Sequence, residues 1–388
     1  MFLDHCTGCG ACFNACPVDA ITIQGDKYGF YKPVIDKGKC TNCGLCERTC
    51  PLDKNYSDNF NKPKVIAFQN KDKETLYKSA SGGAFSALAT QIINNGGVVY
   101  GVVWNENIVA VHDRAETIEQ LEKMYSSKYV QANTKNSFKL AKEDLEKGRT
   151  VLFSGTPCQI AGLKSYLRKD YDNLITIDLV CHGVPSPLIL EKYKNEFMKK
   201  FSKDEKLINI NFRSKIKGWS PSLITTTTTT TTTHAAKDDF MNAFLGNLSI
   251  NSSCLNCQFN TIPRIADISL ADFWGVDNYK KKLNDNKGLS LILINNSKAE
   301  NLINKYIKED LIEEIPLKYA IKCNKNICGS SIPHKNREKF LNKVCIENKS
   351  LKSCVRKYNK VPFHIVIYRL LPQFAKNFIK YKILKMEK

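Results

Sequence analysis

The sequence predicts a chain of two parts, a small cysteine-rich module followed by a larger α/β domain. Eight of the sixteen cysteines fall within the first fifty residues, in two copies of one spacing. Further along, a buried-type strand, a tight turn and a helix follow one another twice, in 147–167 and again in 173–193. The 388 residues are enough for two or three domains with full hydrophobic cores.

The opening cysteines follow the spacing of bacterial two-cluster ferredoxins. Each copy reads C-x2-C-x2-C-x3-C-P, over 6–17 and 40–51. Three closely spaced thiolates wrap one corner of a cubane 4Fe-4S cluster, and the fourth cysteine is available to the other cluster. The spacing therefore predicts a first cluster on Cys6, Cys9, Cys12 and Cys50, and a second on Cys40, Cys43, Cys46 and Cys16.

A pair of tetrahedral zinc sites is the alternative, because C-x2-C pairs also bind zinc. Zinc needs only two such pairs per site, which would leave the third cysteine of each triplet and both Cys-Pro endings unexplained. Glycines at 8, 10 and 44 favour the clusters, since the backbone has to pass close to the sulfides with unusual dihedrals. Residues 20–39 between the motifs predict a short hairpin, so we expect a ferredoxin-type domain over 1–58.

The composition narrows the class of protein. Hydrophobic residues make up 43% and charged residues 25%, as in ordinary soluble proteins, and no run of about eighteen apolar residues predicts a membrane span. The start, MFLDHC, has neither the basic nor the apolar region of a secretory signal. We therefore expect a cytoplasmic protein, in which the cysteines indicate metal or redox chemistry rather than disulfides.

The net charge of +20 lies outside the first sixty residues, which hold seven acidic and six basic side chains. The electrostatic field of so large a positive charge attracts anionic partners, such as nucleic acid, an anionic membrane, an anionic cofactor or an acidic electron-transfer protein. A solvated surface rich in Lys and Asn is the simpler explanation for much of it. No ribonucleoprotein motif or zinc finger is present, so we expect no nucleic-acid binding.

Residues 78–104 predict a Ser/Gly loop, a helix and a strand. A loop that ends in two glycines at a helix N-terminus lets backbone amides approach an anion, and the helix dipole adds to the attraction. Taken alone, an ordinary capped helix start is the simpler explanation of Ser81-Gly82-Gly83.

Cysteines also stand at both strand-to-helix turns of the α/β part, in SGTPCQ and CHGVPSP. Ligands of α/β sheets sit where strands end and helices begin. With a later C-x2-C pair, these cysteines could hold a third cluster; equally, the first two could be small buried hydrophobes and the pair a structural knuckle. The four are Cys158, Cys181, Cys254 and Cys257. Four more lack ligand spacing and are predicted to be structural or incidental: Cys323, Cys328, Cys345 and Cys354.

Two segments carry no chemistry that the sequence reveals. Nine consecutive threonines at 225–233 predict an extended strand or hairpin arm, and His234 beside them is predicted to be a surface side chain. The basic residues 361–388 fit an amphipathic helix that can lie on an anionic membrane surface, although such a tail more often packs on its own domain or on a partner. We treat 336–388 as a basic C-terminal extension.

The ordered set SASGG, FSGTPCQIAGL, CHGVPSP, C-x2-C and ADISLADFWG behind a two-cluster module resembles the coenzyme F-420 hydrogenase/dehydrogenase beta subunit family. The resemblance covers residues 1 to about 330 and implies a mixed α/β flavin-binding domain over 62–335. It implies bound FAD, and it favours a flavin-proximal third 4Fe-4S cluster on the four downstream cysteines. The flavin site that it implies comprises Ser79, Ser81, Gly82, Gly83, Ser127, Lys128, Tyr129, Gly155, Thr156 and Pro157.

Charge near the flavin is expected from two basic residues, Lys128 and Arg264. They would hold the flavin pyrophosphate or an anionic substrate tail; the alternative for each is an ordinary salt bridge on the surface or in the core. No residue is assigned a proton-transfer role.

The expected function follows from the cofactors. Iron-sulfur clusters pass one electron at a time, whereas organic substrates usually take a hydride, and a flavin converts between the two. We expect an oxidoreductase that moves electrons between the clusters and FAD, and a hydride between FAD and a small planar or deazaflavin-like donor or acceptor. Bacterial relatives with this layout often accompany genes for surface polysaccharide synthesis.

Two other functions are compatible with the sequence. The chain could be an electron-relay subunit without a substrate of its own, docking an acidic ferredoxin or a partner redox enzyme through its positive surface. A zinc-dependent nucleic-acid binder is a remote third hypothesis, which predicts colourless protein.

Overall fold

A computed structural model of the chain describes residues 5–52, 54, 59–219, 222–233 and 238–359. The strands are β1 Ile21–Gly25, β2 Tyr31–Ile35, β3 Lys64–Phe68, β4 Val98–Trp104, β5 Ala110–Ala115, β6 Val151–Gly155, β7 Leu174–Leu179, β8 Leu207–Asn211, β9 Ile224–Thr227, β10 Thr231–Thr233, β11 Ile268–Asp272, β12 Ser290–Ile294 and β13 Leu311–Glu314. The α-helices are α1 Ala11–Ala15, α2 Leu45–Arg48, α3 Lys73–Lys78, α4 Ala84–Asn94, α5 Ile118–Glu122, α6 Ser137–Glu146, α7 Pro157–Leu167, α8 Pro187–Met198, α9 Asp239–Leu245, α10 Val276–Lys280, α11 Ser297–Tyr306, α12 Leu317–Cys323, α13 Arg337–Leu341 and α14 Leu351–Tyr358.

The N-terminal module is built from a hairpin and two short helices. Strands β1 and β2 pair antiparallel, which confirms the predicted hairpin between the cysteine motifs. Helices α1 and α2 each begin inside a motif, directly after Gly10 (φ 80°) and Gly44 (φ 67°). This left-handed conformation is open to glycine at no steric cost, so these two glycines set the turn that presents the cysteines.

The larger part of the chain forms an eight-stranded sheet in the order β13-β3-β12-β11-β7-β6-β4-β5. Its centre is parallel, since β6 pairs in parallel with both β4 and β7, and β7 with β11. The remaining pairs, at both flanks, are antiparallel. The two predicted strand-turn-helix units are β6–α7 and β7–α8, which confirms the mixed α/β class.

Alternate residues of the central strands enter cores on opposite faces of this sheet. On β6, Leu152 packs into the core that contains α4 and α11, whereas its neighbour Phe153 packs into the core beneath α6 and α7. Both side chains are fully buried. Because strand side chains alternate and both faces are covered by helices, the near-continuous apolar run of β6 follows directly from its central position.

The module docks on one of these covered faces. Ser165 Oγ on α7 donates a hydrogen bond to Thr49 O (2.7 Å), and Asn14 Nδ2 on α1 donates to Lys135 O (2.9 Å). Buried Cys9 and Ala11 belong to the same hydrophobic core as α6 and α7. The cysteine-rich module is therefore packed against the α/β part by both apolar and polar contacts.

The threonine run forms part of a small separate sheet. Ile224–Thr226 of β9 pair antiparallel with Thr231–Thr233 of β10, and β9 also pairs with β8, which confirms the predicted hairpin arm. The predictions for His234 and for 361–388 fall outside the described residues. Within the part of the chain that is described, no helix is long and apolar enough to cross a bilayer.

Candidate functional site

A cavity of about 810 Å³ lies where β6 and β7 end and α4 and α7 begin. This is within the range of roughly 300–1,000 Å³ that small-molecule and cofactor sites usually occupy. The structure brings together here most of the residues predicted to form a flavin site: Ser79, Ser81, Gly83, Ser127, Lys128, Tyr129, Gly155 and Thr156. Thr7 and Gly8 of the first cysteine motif also line it.

Two predicted residues shape the cavity without lining it. A Cβ on Gly82 would lie 2.2 Å from Phe68 O, and the Gly82 amide donates to Ser290 Oγ (2.9 Å), so this glycine lets the loop lie flat on the sheet. Pro157 is the first residue of α7, where its fixed φ suits the helix start. Both lie beside the cavity and support its backbone.

Two helix N-termini open on the cavity. Ala84, Phe85 and Ser86 form the first turn of α4, which begins after Gly83 at φ 80°, and all three line the cavity. The N-terminus of α7 is fixed by Gln159 Oε1, which accepts a hydrogen bond from the Thr156 amide (2.9 Å). Backbone amides and the positive ends of two eleven-residue helices make this wall suited to an anion.

Lys128 is a lysine of the cavity wall whose ammonium group is held by the backbone. Its Nζ donates to the carbonyl oxygens of Lys123 (2.7 Å) and Tyr125 (2.8 Å). Burial disfavours the ammonium ion and lowers the pKa of Lys128 to about 7. An anion in the cavity would favour the charged form.

The sequence did not single out Arg213, which the structure places on the cavity wall at 4% exposure. Its guanidinium donates to both carboxylate oxygens of Asp272 (2.7 and 2.8 Å) and to Tyr129 Oη (2.9 Å). It also lies 5.2 Å from the ring centroid of Trp274, which stacks on Trp219. The ADFWG motif contains two of these partners, but only the fold brings Arg213 to them.

The prediction that Arg264 holds an anionic ligand is wrong, because the side chain does not lie at the cavity. Its side chain is fully buried and away from the cavity lining, and Nη2 donates to Asp178 Oδ1 (2.8 Å), whose side chain is also fully buried. The guanidinium further donates to Ile327 O (3.0 Å) and Ser269 Oγ (3.1 Å). Arg264 therefore forms the core ion pair that was the alternative explanation.

The four downstream cysteines come together on one side of the cavity. The chain approaches closely here, since a Cβ on Gly183 would lie 3.2 Å from Cys254 Cβ. Burial, and then mutual repulsion with the neighbouring thiolates, raises the pKa of Cys158 to about 11 and that of Cys254 to about 12. The same two causes raise the pKa of Cys181, and burial raises that of Cys257.

A group of four soft sulfur donors that would repel one another as free thiolates fits a bound iron-sulfur cluster, which requires deprotonated thiols. The grouping was one of two arrangements that the spacing left open.

Cysteines of both N-terminal motifs lie close to one another, and their division into two ligand sets stays a prediction. Burial raises the pKa of Cys12 to about 12, with further contributions from Cys6, Cys50 and Cys46. Cys16 packs with Cys40 and Cys46, next to the hairpin. In the described ranges, no three Cys, His, Asp or Glu side chains converge on a point that would hold a single metal ion.

The other four cysteines were predicted to be structural or incidental, and one of them lies at the cavity. Cys323 lines the cavity wall, and a Cβ on Gly275 would come within 2.8 Å of its sulfur. Cys354 is buried among the side chains of α14 and α8, and Cys328 is exposed. No spacing rule could have identified Cys323, because its approach to the cavity depends on how α12 packs.

Comparisons with known proteins identify both parts of the chain. Residues 5–54 match the family model of the 4Fe-4S dicluster domain, and residues 148–319 match that of the C-terminal part of the coenzyme F420 hydrogenase/dehydrogenase beta subunit. Among solved structures, one similar chain is from the F420-reducing NiFe hydrogenase complex of Methanosarcina barkeri. It is 17% identical with a TM-score of 0.47, over 77% of this chain and 98% of that one. No curated protein matches the sequence.

Proposed function

Because the chain belongs to the coenzyme F420 hydrogenase/dehydrogenase beta subunit family, we propose that it is an iron-sulfur flavoprotein oxidoreductase. It would pass electrons between its 4Fe-4S clusters and FAD, and exchange a hydride between FAD and a small planar or deazaflavin-like substrate. One observation carries this proposal: a cofactor-sized cavity is lined both by Thr7 and Gly8 of the first cysteine motif and by Cys158 and Cys181, two of the four grouped cysteines.

The residues present fit FAD. The amides at the start of α4 and the ammonium of Lys128 would hold its pyrophosphate, and Gly83 and Gly155 line the cavity beside them. When bound, FAD would supply the conversion between one-electron and two-electron transfer. Arg213, held by Asp272, would fix the position of Tyr129 on the same wall.

Cys158, Cys181, Cys254 and Cys257 would hold the third 4Fe-4S cluster of this proposal. Cys158 and Cys181 also line the cavity, so their side chains lie between the proposed cluster and the proposed flavin. The neighbouring Asn260 Nδ2 donates to Cys181 O (2.9 Å), and the Cys257 amide donates to Ser330 Oγ (2.8 Å), which fixes the backbone on which these cysteines stand.

The substrate is proposed from the family resemblance alone. It would be a small hydride donor or acceptor with an anionic tail and a planar ring able to face the flavin. A role in surface polysaccharide synthesis is part of this proposal.

The competing function is an electron relay without a substrate, which the positive charge of the chain favours. Iron, sulfide and flavin content of anaerobically purified and reconstituted protein separates the two. We expect about twelve irons and one FAD per chain. Folded protein that carries its irons but takes up neither FAD nor FMN would favour the relay and overturn the oxidoreductase.

A pH dependence of FAD binding follows from Lys128. In free protein its pKa is about 7, and an anionic pyrophosphate would raise it, so binding above pH 7 requires uptake of a proton. We expect the affinity for FAD to be constant below pH 7 and to fall by up to about tenfold per pH unit above it, until the pKa of the bound form is reached. Fluorescence titrations between pH 6 and 9 would measure this.

The variant Lys128→Met tests whether Lys128 causes this pH dependence. Its matched control is Lys123→Met, which removes the same charge from an exposed neighbour. Lys128→Met should bind FAD more weakly at pH 6 and lose the pH dependence, whereas Lys123→Met should keep both the affinity and its slope. An unchanged slope in Lys128→Met would show that another group is responsible.

A further inference from the structure

The two cysteine motifs share one spacing but differ in the residues between the cysteines. The first reads CTGCGACFNAC and the second CTNCGLCERTC, so Gly8 corresponds to Asn42 and Asn14 to Arg48. Identical ligand spacing needs no such difference. The structure gives a reason for it, because the two motifs face different surroundings.

The first motif faces inward, onto the α/β part. A Cβ on Gly8 would lie 2.4 Å from Gln131 Nε2, and one on Gly10 would lie 1.9 Å from Thr134 Oγ1. Gln131 is buried and clamps the motif, since its Nε2 donates to Thr7 O (2.9 Å) while its Oε1 accepts from the Tyr31 amide (2.7 Å). These glycines therefore allow the first motif to pack closely on the α/β part, in addition to forming the turn between its cysteines.

The first motif also reaches the grouped cysteines of the α/β part. A Cβ on Gly162 of α7 would lie 3.0 Å from Cys9 Sγ, and the same helix carries Cys158 in its first turn. Thr7 and Gly8 line the cavity as well. A cluster on the first motif would thus lie between the cavity side and the second motif.

The second motif faces outward. Thr41, Asn42 and Cys43 are exposed, and a Cβ on Gly44 would approach the far end of the Arg48 side chain, at 3.1 Å. Within the described residues, no close packing by the α/β part constrains Gly44 as it constrains Gly8 and Gly10. A cluster held here would be the one nearest to solvent, where an external protein can reach it.

Basic side chains surround this exposed motif. Arg48 Nη2 donates to Cys43 O (2.9 Å), Lys54 Nζ donates to Arg48 O (2.7 Å), and Arg168 Nη2 donates to Thr49 Oγ1 (3.3 Å). Lys39, next to Cys40, is exposed. Glu47 is the acidic residue of the same short helix α2. Asp36 and Glu47, both exposed, reduce this charge, but the four basic side chains still leave the patch net positive, so it complements an anionic partner although the first sixty residues hold seven acidic and six basic side chains.

We propose that the second cysteine motif is the port through which a small acidic one-electron carrier protein exchanges electrons with this chain, and that the first motif is the internal relay towards the cavity. This inference rests on the proposed function for the two clusters, and it adds the partner and the place where the partner docks. Lys39, Arg48, Lys54 and Arg168 form the contact surface.

Binding of a small acidic ferredoxin tests this proposal on the full-length, anaerobically prepared protein. Calorimetry at low and high salt should give an affinity that falls as salt rises, because surface charges are screened. The double variant Lys39→Glu/Arg48→Glu should bind about tenfold or more weakly, and Glu47→Lys should bind more tightly. Lys203→Glu, an exposed charge on a remote loop, should bind like the unchanged protein.

Unchanged ferredoxin affinity in Lys39→Glu/Arg48→Glu, or an equal loss of affinity in Lys203→Glu, would overturn the proposal that the carrier docks at the second cysteine motif. Iron and flavin content, measured on every variant, distinguishes this failure from failure of the proposed function. Protein that carries clusters and FAD but binds the ferredoxin elsewhere leaves the oxidoreductase standing. Protein without flavin whose ferredoxin affinity still follows the charge at positions 39, 47 and 48 would support the docking site and overturn the flavin-dependent oxidoreductase.

Discussion

If Cys158 is a ligand of the proposed third cluster, replacing it by serine is expected to lower the iron content from about twelve to about eight per chain. A serine hydroxyl does not replace a thiolate as a soft ligand. Cys158 lies in the first turn of α7 and borders the cavity, so its loss should also slow the passage of electrons from the N-terminal clusters to the proposed flavin. Anaerobic iron and sulfide assays, with electron paramagnetic resonance of the reduced protein, measure the first effect.

Cys354→Ser is the control for this substitution. Cys354 lies on α14, buried among apolar side chains of α8 and α9, whereas Cys158 is half-buried. We expect its serine variant to retain about twelve irons. If the unchanged protein binds only eight irons, or if Cys158→Ser keeps all twelve, Cys158 is not a ligand and its burial is purely structural.

Replacing Arg264 by methionine is expected to give the largest loss of stability, about 3–5 kcal/mol in the free energy of unfolding. The substitution leaves the carboxylate of Asp178 fully buried without its cation, and Asp178 Oδ2 already has no hydrogen-bond partner in the described structure. It also removes the donors to Ile327 O and Ser269 Oγ, which join three segments of the core. Urea unfolding under anaerobic conditions measures the change.

Two comparisons make this prediction specific to the buried charge. The double variant Arg264→Met/Asp178→Leu should recover much of the lost stability, because it removes the stranded carboxylate as well. Lys287→Met breaks an exposed pair with Asp285 and should cost no more than about 1 kcal/mol. A double variant as unstable as Arg264→Met would mean that packing of the guanidinium, rather than charge, accounts for the loss.

The local parts of this protein were predictable from local sequence. The cysteine spacing, the hairpin at 20–39 and the β6–α7 and β7–α8 units depend on periodicity, turn residues and short-range geometry, which the sequence displays directly. The loop at Ser79–Gly83 was found for the same reason, because glycine at a helix start has a local conformational cause.

What could not be predicted depends on contacts between distant segments. Arg213 forms an ion pair with Asp272, fifty-nine residues away, and the local sequence around either residue does not predict this pair. Arg264 was misassigned because a basic side chain near a ligand site and one buried in the core look alike until its partner, eighty-six residues away, is known.

By itself, the sequence determined that two cubane sites open the chain and that an α/β domain follows, since ligand spacing and strand-helix alternation are short-range properties. Only the tertiary structure decided which cysteine motif faces inward and which faces solvent. The reason is steric: Gly8 and Gly10 are needed because Gln131 and Thr134, more than a hundred residues away, occupy the space that their side chains would fill.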